Sequence, residues 1–300
     1  MKKILFYTQN RWAFGSIHHG LIKELYRHNI YANLLDWTKK YSEEEFSYLN
    51  SIYDLFVTNP EAVMSLHQTY KIPLNKIVSV AHGQWDLLLA KEQYGNEFYS
   101  ELYGFGVVSE ILKIKSKEFG VNIVPEIVEL GIHTEIYKND ISTELKTVGY
   151  GGLKETKNYF GEEIKRGWMV ETALQDLNVN FKFNYELNHL CMAGYYKTID
   201  CLIVSSSEES AGLPAMEAAA AGKLVIGTPV GYFERNAELG GGVLLPLDEE
   251  NFIKKLREII LFYQNNPHEY RQRCLQIQKF AQENYDWKNK IDKWISLLDK

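Results

Sequence analysis

The sequence predicts an α/β protein made of two doubly wound parallel-sheet domains, and three observations carry that reading. Short apolar runs alternate with helical stretches, the pattern of successive βαβ units. The alternation stops in the polar segment 138–143 and then starts again. The restart opens on a strand that runs into the glycine-rich turn Gly149, Gly151, Gly152. A chain of 300 residues has room for two domains of about 150 residues each. The expected divisions are 1–138, 139–285 and a terminal helix over 286–300.

The elements follow in order. Residues 3–7 read as a buried strand, and 17–27 as a helix with Leu21, Ile22 and Leu25 on one face. A strand over 30–35 and a short helix over 43–49 come next, then a strand at 54–58 and a helix at 62–70. Residues 76–81 and 106–109 supply further strands. In the second half, 145–149 is a strand, and a long amphipathic helix is expected from about 161 to 177. Strands at 180–184, 201–205, 224–227 and 242–245 complete the sheet, and 249–300 is almost wholly helical. No solenoid-type repeat is present.

Composition narrows the class. Hydrophobic residues make up 45% and charged residues 24%, an ordinary globular balance that excludes disordered and fibrous chains. Acidic residues (39) outnumber basic ones (33), giving a formal charge of −6, the wrong sign for a generic nucleic-acid binder. Cys191, Cys201 and Cys274 are an odd number at distant positions, which fits neither a disulfide framework nor a zinc site. No apolar run approaches a membrane span, and the start MKKILFYT has no cleavage pattern. A soluble cytoplasmic protein is expected.

The segment richest in chemistry is 204–222, VSSSEESAGLPAMEAAAAG. A strand ends near Ser205, a polar loop follows, and Pro214 suits the opening of a helix. The alanines favour helix, and Gly222 suits its C-terminal cap. Glu209 falls on the loop and Glu217 in the first turns of the helix. Backbone N–H groups over 212–215 would be unpaired donors at a positive helix end, a place for phosphate. Two carboxylates beside them accept hydrogen bonds from hydroxyls. A sugar joined to a nucleoside diphosphate offers both kinds of group. On spacing alone, the pair also fits one glutamate serving the helix dipole and one facing solvent.

Glu209-x7-Glu217 within ESAGLPAMEAAAAGKLVIGTPVG resembles the signature of family 4 glycosyltransferases, the large GT-B group that uses activated sugar donors. Residues 195–205 are similar to the helix-Asp-strand preceding that signature, and 130–137 to the segment closing the first domain. Tyr285-Asp286-Trp287 resembles the aromatic corner before the final helix. The resemblance implies two Rossmann-like domains facing across a cleft, with the C-terminal helix crossing back to the N-terminal domain. It also implies roles. Glu209 would hold the donor sugar at the reaction centre, and Glu217 would accept ribose hydroxyls. Ser210, Ala211, Gly212 and Leu213 join them on the donor side.

The phosphate side departs from the family pattern. Relatives carry an Arg just after the first strand of the second domain, and no Arg stands there in GYGGLK at 149–154. Lys154 is the stand-in. Downstream, Lys165-Arg166-Gly167 matches the family's second basic position, making Arg166 or Lys165 the diphosphate ligand; the plain alternative for each is a solvated helix charge. His82 follows a strand in VAHGQ and resembles the family histidine that touches the donor sugar, so it is grouped with Glu209 as catalytic. Gly15, in a short turn expected after the first strand, resembles the loop that approaches donor and acceptor. His18 and His19 read as helix-surface residues.

The implied function is transfer of a sugar from a nucleotide-sugar donor, a UDP-sugar first, to a hydroxyl acceptor with retention of anomeric configuration. No cofactor and no metal are expected. A GT-B nucleotide-sugar epimerase or hydrolase is one alternative, and a nonenzymatic nucleotide-sugar-binding module is another. Carbohydrate, protein and nucleic-acid acceptors all stay open. Many relatives dock on membranes, and Lys2, Lys3, Lys39, Lys40, Lys113, Lys115 and Lys117 leave peripheral attachment at the inner membrane face open, opposed by Glu43, Glu44 and Glu45.

Overall fold

The computed structural model describes residues 1–10, 12–152, 156–158, 160–184 and 187–300. The chain divides into two units, Met1–Gly131 with Trp287–Lys300, and Ile132–Asp286. Unit 1 holds β1 (Lys3–Thr8), β2 (Tyr31–Asp36), β3 (Leu55–Thr58), β4 (Ile77–Ala81), β5 (Gly104–Val107) and β6 (Glu126–Ile127). These pair in parallel in the order β2-β1-β3-β4-β5-β6. The connecting helices are α1 (Trp12–Arg27), α2 (Glu43–Ile52), α3 (Pro60–Met64), α4 (Gln84–Tyr94) and α5 (Glu110–Glu118). Covering both faces of a parallel sheet demands strands that are apolar throughout, and every residue of β3 and β4 is buried.

Unit 2 repeats the plan. It runs through α6 (Thr134–Tyr137), β7 (Thr147–Gly151), α7 (Gly167–Leu174), β8 (Asn180–Asn184), α8 (Met192–Tyr196) and β9 (Cys201–Val204). It continues through α9 (Leu213–Ala220), β10 (Leu224–Gly227), α10 (Phe233–Asn236), β11 (Val243–Leu244), α11 (Glu249–Asn265) and α12 (Pro267–Asn284). Its parallel sheet is ordered β11-β10-β9-β7-β8. In both sheets the chain winds outward from the first strand to the second, then returns past the first. The reversal falls between β1 and β3 in unit 1 and between β7 and β9 in unit 2. Helices leave opposite faces there, which opens a crevice at the carboxyl ends of those strands.

The last helix, α13 (Ile291–Leu298), packs within unit 1. Trp294 and Leu297 are fully buried, and Trp294 Nε1 donates to the Glu129 carbonyl at 3.0 Å. β5 reads Gly-Phe-Gly-Val because the helix lies directly on it. A Cβ at Gly104 or Gly106 would come within 2.9 or 2.8 Å of the Leu297 side chain.

Three element expectations change. The helix expected over 161–177 is only Gly167–Leu174, because the Glu163 carboxylate gathers the N–H groups of Thr156, Lys165 and Arg166 into a loop. Helix α1 begins at Trp12, so Gly15 lies inside a helix and not in a strand-to-helix turn. His18 is buried, not on the helix surface. Its Nδ1 donates to the Phe14 carbonyl at 2.9 Å, and its ring packs against Phe6. His19 is exposed and meets Asn10 at 2.7 Å.

Candidate functional site

The crevice of unit 2 is lined by the loops that leave β7 and β9. After β9, Ser205 and Ser206 stay buried and tie the strand end to its neighbours. Ser205 Oγ donates to the Lys165 carbonyl at 2.6 Å, and Thr228 Oγ1 donates to the Ser206 carbonyl. The chain then reaches Glu209, whose Oε1 accepts from Ser206 Oγ at 2.9 Å and from the Lys165 ammonium. Both side chains of that ion pair are about three-quarters covered, with 24% and 20% exposure, so the pair is less screened than one on the open surface.

Gly212 caps α9 with φ +76°, a left-handed turn where a side chain would be strained. Gly231 (φ +58°) is required by close approach: a Cβ there would lie 3.1 Å from the Ala211 backbone nitrogen. Of the donors expected over 212–215, Pro214 has none and the Ala215 amide turns back to the Gly212 carbonyl at 3.0 Å. Among the described residues, no backbone acceptor pairs with the amides of Gly212 and Leu213.

Across the crevice, Arg166 takes a left-handed conformation (φ +51°) at the N-cap of α7. Its Nε donates to the Ser205 carbonyl at 2.9 Å and Nη1 to the Leu247 carbonyl at 2.7 Å. Nη2 is buried and has no partner among the described residues. Burial works to raise the Glu163 carboxyl, but the amides of Thr156, Arg166 and Lys165 outweigh it and hold the group below its ordinary range. That charge anchors the loop carrying both basic residues.

Glu217 sits deeper, 2% exposed on α9. Oε1 accepts from Tyr137 Oη at 2.7 Å and Oε2 from Tyr196 Oη at 2.8 Å. Burial lifts its carboxyl to about 7, although both phenols pull the other way. The two rings meet edge to face with centroids 6.0 Å apart.

The family model described as glycosyl transferases group 1 matches residues 110–261, slightly more than half of the chain. The chain belongs to the group 1 glycosyl transferases. No curated protein sequence matches it. Among solved structures, the transferase is similar to HepE of Anabaena in complex with UDP-glucose, with TM-score 0.72 and 15% identity over 99% of each chain. It is also similar to sucrose-phosphate synthase of Thermosynechococcus elongatus, with TM-score 0.69 and 13% identity over 99% of this chain and 98% of that one. An α-glucosyltransferase in complex with UDP and a 13-mer DNA containing a HMU base gives 0.69 and 9% over 99% of each chain. Such likeness establishes the GT-B fold of the transferase.

The transferase thus brings Lys165, Arg166, Glu209, Ser210, Ala211, Gly212 and Leu213 to one crevice of unit 2, with Glu217 behind them. His82 lies in unit 1, beyond β4, with its ring against Phe14 and His18 and its Nδ1 buried without a partner among the described residues. Lys154 lies outside the described residues. Tyr137, Tyr196, Ser206 and Glu163 were not legible as site residues. Each acts by a contact between distant positions, and the only sequence signal was that Tyr137 and Tyr196 stand inside the segments resembling the family. No helix among the described residues is long and apolar enough to cross a membrane, and no group of three or more metal-ligating side chains stands together among them.

Proposed function

We propose that this glycosyltransferase moves a sugar from a UDP-sugar to a hydroxyl acceptor, retaining the anomeric configuration and using the chain's own groups in place of a metal. The observation that carries the reading is Arg166 Nη2, buried with no partner among the described residues, on a guanidinium that reaches the Ser205 carbonyl at the end of β9, with the next residue, Lys165, paired to Glu209. A buried guanidinium nitrogen without an acceptor is costly, and a diphosphate oxygen supplies the missing acceptor. Lys165 joins it, and the amides of Gly212 and Leu213 add a helix N-terminus. Glu209, released from Lys165 as the ammonium turns to phosphate, accepts hydrogen bonds from the sugar. Glu217 accepts from ribose through lone pairs that Tyr137 and Tyr196 leave unused. We assign His82 to the sugar as well.

As the glycosidic bond breaks, positive charge grows on the sugar and negative charge on the leaving phosphate. Lys165, Arg166 and the α9 amides oppose the second of these charges where it develops. A leaving-phosphate oxygen takes the acceptor proton, which puts the new bond on the same face as the old. HepE was solved with UDP-glucose and with UDP and glucose, which supports uridine diphosphate as the first donor class to test. Titrating UDP-, GDP- and ADP-sugars should raise the melting temperature with the UDP-sugars, because a ligand of the folded state stabilises it. No stabilisation by any of the three classes would sink the reading.

A further inference from the structure

Three helices of unit 2 bring side chains together at one buried carboxylate. Glu217 comes from α9, Tyr137 from α6 and Tyr196 from α8. All three are buried, Tyr196 completely, and each phenol donates to a different oxygen of Glu217, at 2.7 and 2.8 Å. The phenols are fixed in turn. Their rings meet edge to face, and Tyr196 packs on Tyr195, whose hydroxyl donates to the Tyr150 carbonyl at 3.1 Å. We propose that Tyr137 and Tyr196 are positioning residues that make the nucleotide site selective for a ribose cis-diol. They hold Glu217 so that each of its oxygens keeps one acceptor site for a hydroxyl. The proposal rests on the reading that Glu217 meets ribose.

A carboxylate has about four acceptor sites, two on each oxygen, and the two phenols fill half of them. Among the described residues no third donor reaches Glu217. A buried carboxylate left half satisfied is costly, and apolar side chains of the same volume would join the three helices as well. The arrangement therefore fits a ligand that brings two donors of its own. Side chains on a helix lean toward its N-terminus, so Glu217 is directed toward the end of α9 that carries the amides of Gly212 and Leu213. From Leu213 to Glu217 the helix rises about 6 Å. A nucleotide spans a similar distance from its phosphate to the hydroxyls of its ribose. The 2′,3′-diol offers two O–H donors side by side, one for each oxygen. A glutamate free to turn could satisfy itself on a single hydroxyl, whereas one held by two phenols cannot. A 2′-deoxyribose then leaves one buried oxygen short of a donor.

The test is calorimetric binding of UDP and of 2′-deoxy-UDP to the full chain, in wild type, Tyr137→Phe, Tyr196→Phe and Glu217→Gln. Wild type should bind UDP about 10–100-fold more tightly than 2′-deoxy-UDP. Each phenylalanine variant should lose most of that preference, because the freed oxygen lets the carboxylate turn to one hydroxyl. Glu217→Gln should lose it too. Thermal melts identify the folded variants, and Tyr137→Phe, at the less buried phenol, decides the outcome if Tyr196→Phe does not fold. A merely structural pair of tyrosines would weaken both nucleotides equally on substitution. Equal weakening with the preference intact, in variants where Glu217→Gln abolishes it, overturns the proposal and leaves the ribose reading standing. No preference in wild type, a preference that survives Glu217→Gln, or binding of neither nucleotide overturns the ribose reading itself.

Discussion

The two units wind their strands in the same order, yet their switch points are opposite in electrostatic character. In unit 2 the crevice holds full charges, Lys165, Arg166 and Glu209, partly covered and paired to one another or to backbone carbonyls. In unit 1 the residues beyond β1, β3 and β4 include His18 and His82 stripped of charge by burial, and the carboxyls of Glu61 and Asp86 pushed upward. A polyanionic ligand needs mobile cations near water and a positive helix end. A neutral hydroxyl needs fixed polar atoms in a dry wall. One topology can carry both kinds of surroundings because the crevice comes from the winding, and its chemistry from the loops after each strand.

The sharpest way to break that comparison is at Glu209. Glu209→Gln keeps the shape and removes the charge, and it should lower turnover by about 10²–10³-fold with a much smaller change in donor affinity. Product NMR should show the same anomer as the donor. Turnover equal to wild type, or an inverted product, would remove Glu209 from the reaction centre.

Glu217 tests whether a buried charge in unit 2 behaves like those in unit 1. Its carboxyl is raised from 4.5 to about 7, so the folded state holds the proton more tightly than the unfolded one. That stability is complete below about pH 4.5 and is lost as pH rises to about 7, a change on the order of 3 kcal/mol. Thermal melts across pH 4 to 9 should therefore fall toward alkaline pH in wild type and stay flatter in Glu217→Gln. Parallel profiles would mean that Tyr137 and Tyr196 keep the carboxylate ionised throughout.

Arg166→Ala should weaken UDP by about 1.5–3 kcal/mol and uridine hardly at all, because only the phosphates use the charge. Equal losses for both ligands in calorimetry would make Arg166 a brace between the Ser205 and Leu247 carbonyls. The smallest effect belongs to unit 1. Gly106→Ala pushes a methyl against Leu297 and should cost about 1 kcal/mol in chemical denaturation, leaving UDP affinity unchanged. A loss of UDP affinity there would show that strain at β5 reaches the donor crevice.

Local pattern was enough for the strand and helix sequence, the restart of the winding and the Glu209-x7-Glu217 segment, because periodicity, glycine and proline act over a few residues. Its failures were local as well. Gly15 read as a turn because glycine usually marks one, whereas the surrounding residues continue α1. The helix expected from 161 failed because Glu163 takes the backbone donors a helix would need for itself. Only tertiary structure decided that Lys165, 44 positions from Glu209, is its counterion. Likewise, the sequence placed Glu217 on a helix, but burial between Tyr137 and Tyr196 decided its charge state. Proton affinity depends on desolvation and on partners brought from remote strands, and neither is written in the residues beside the group that titrates.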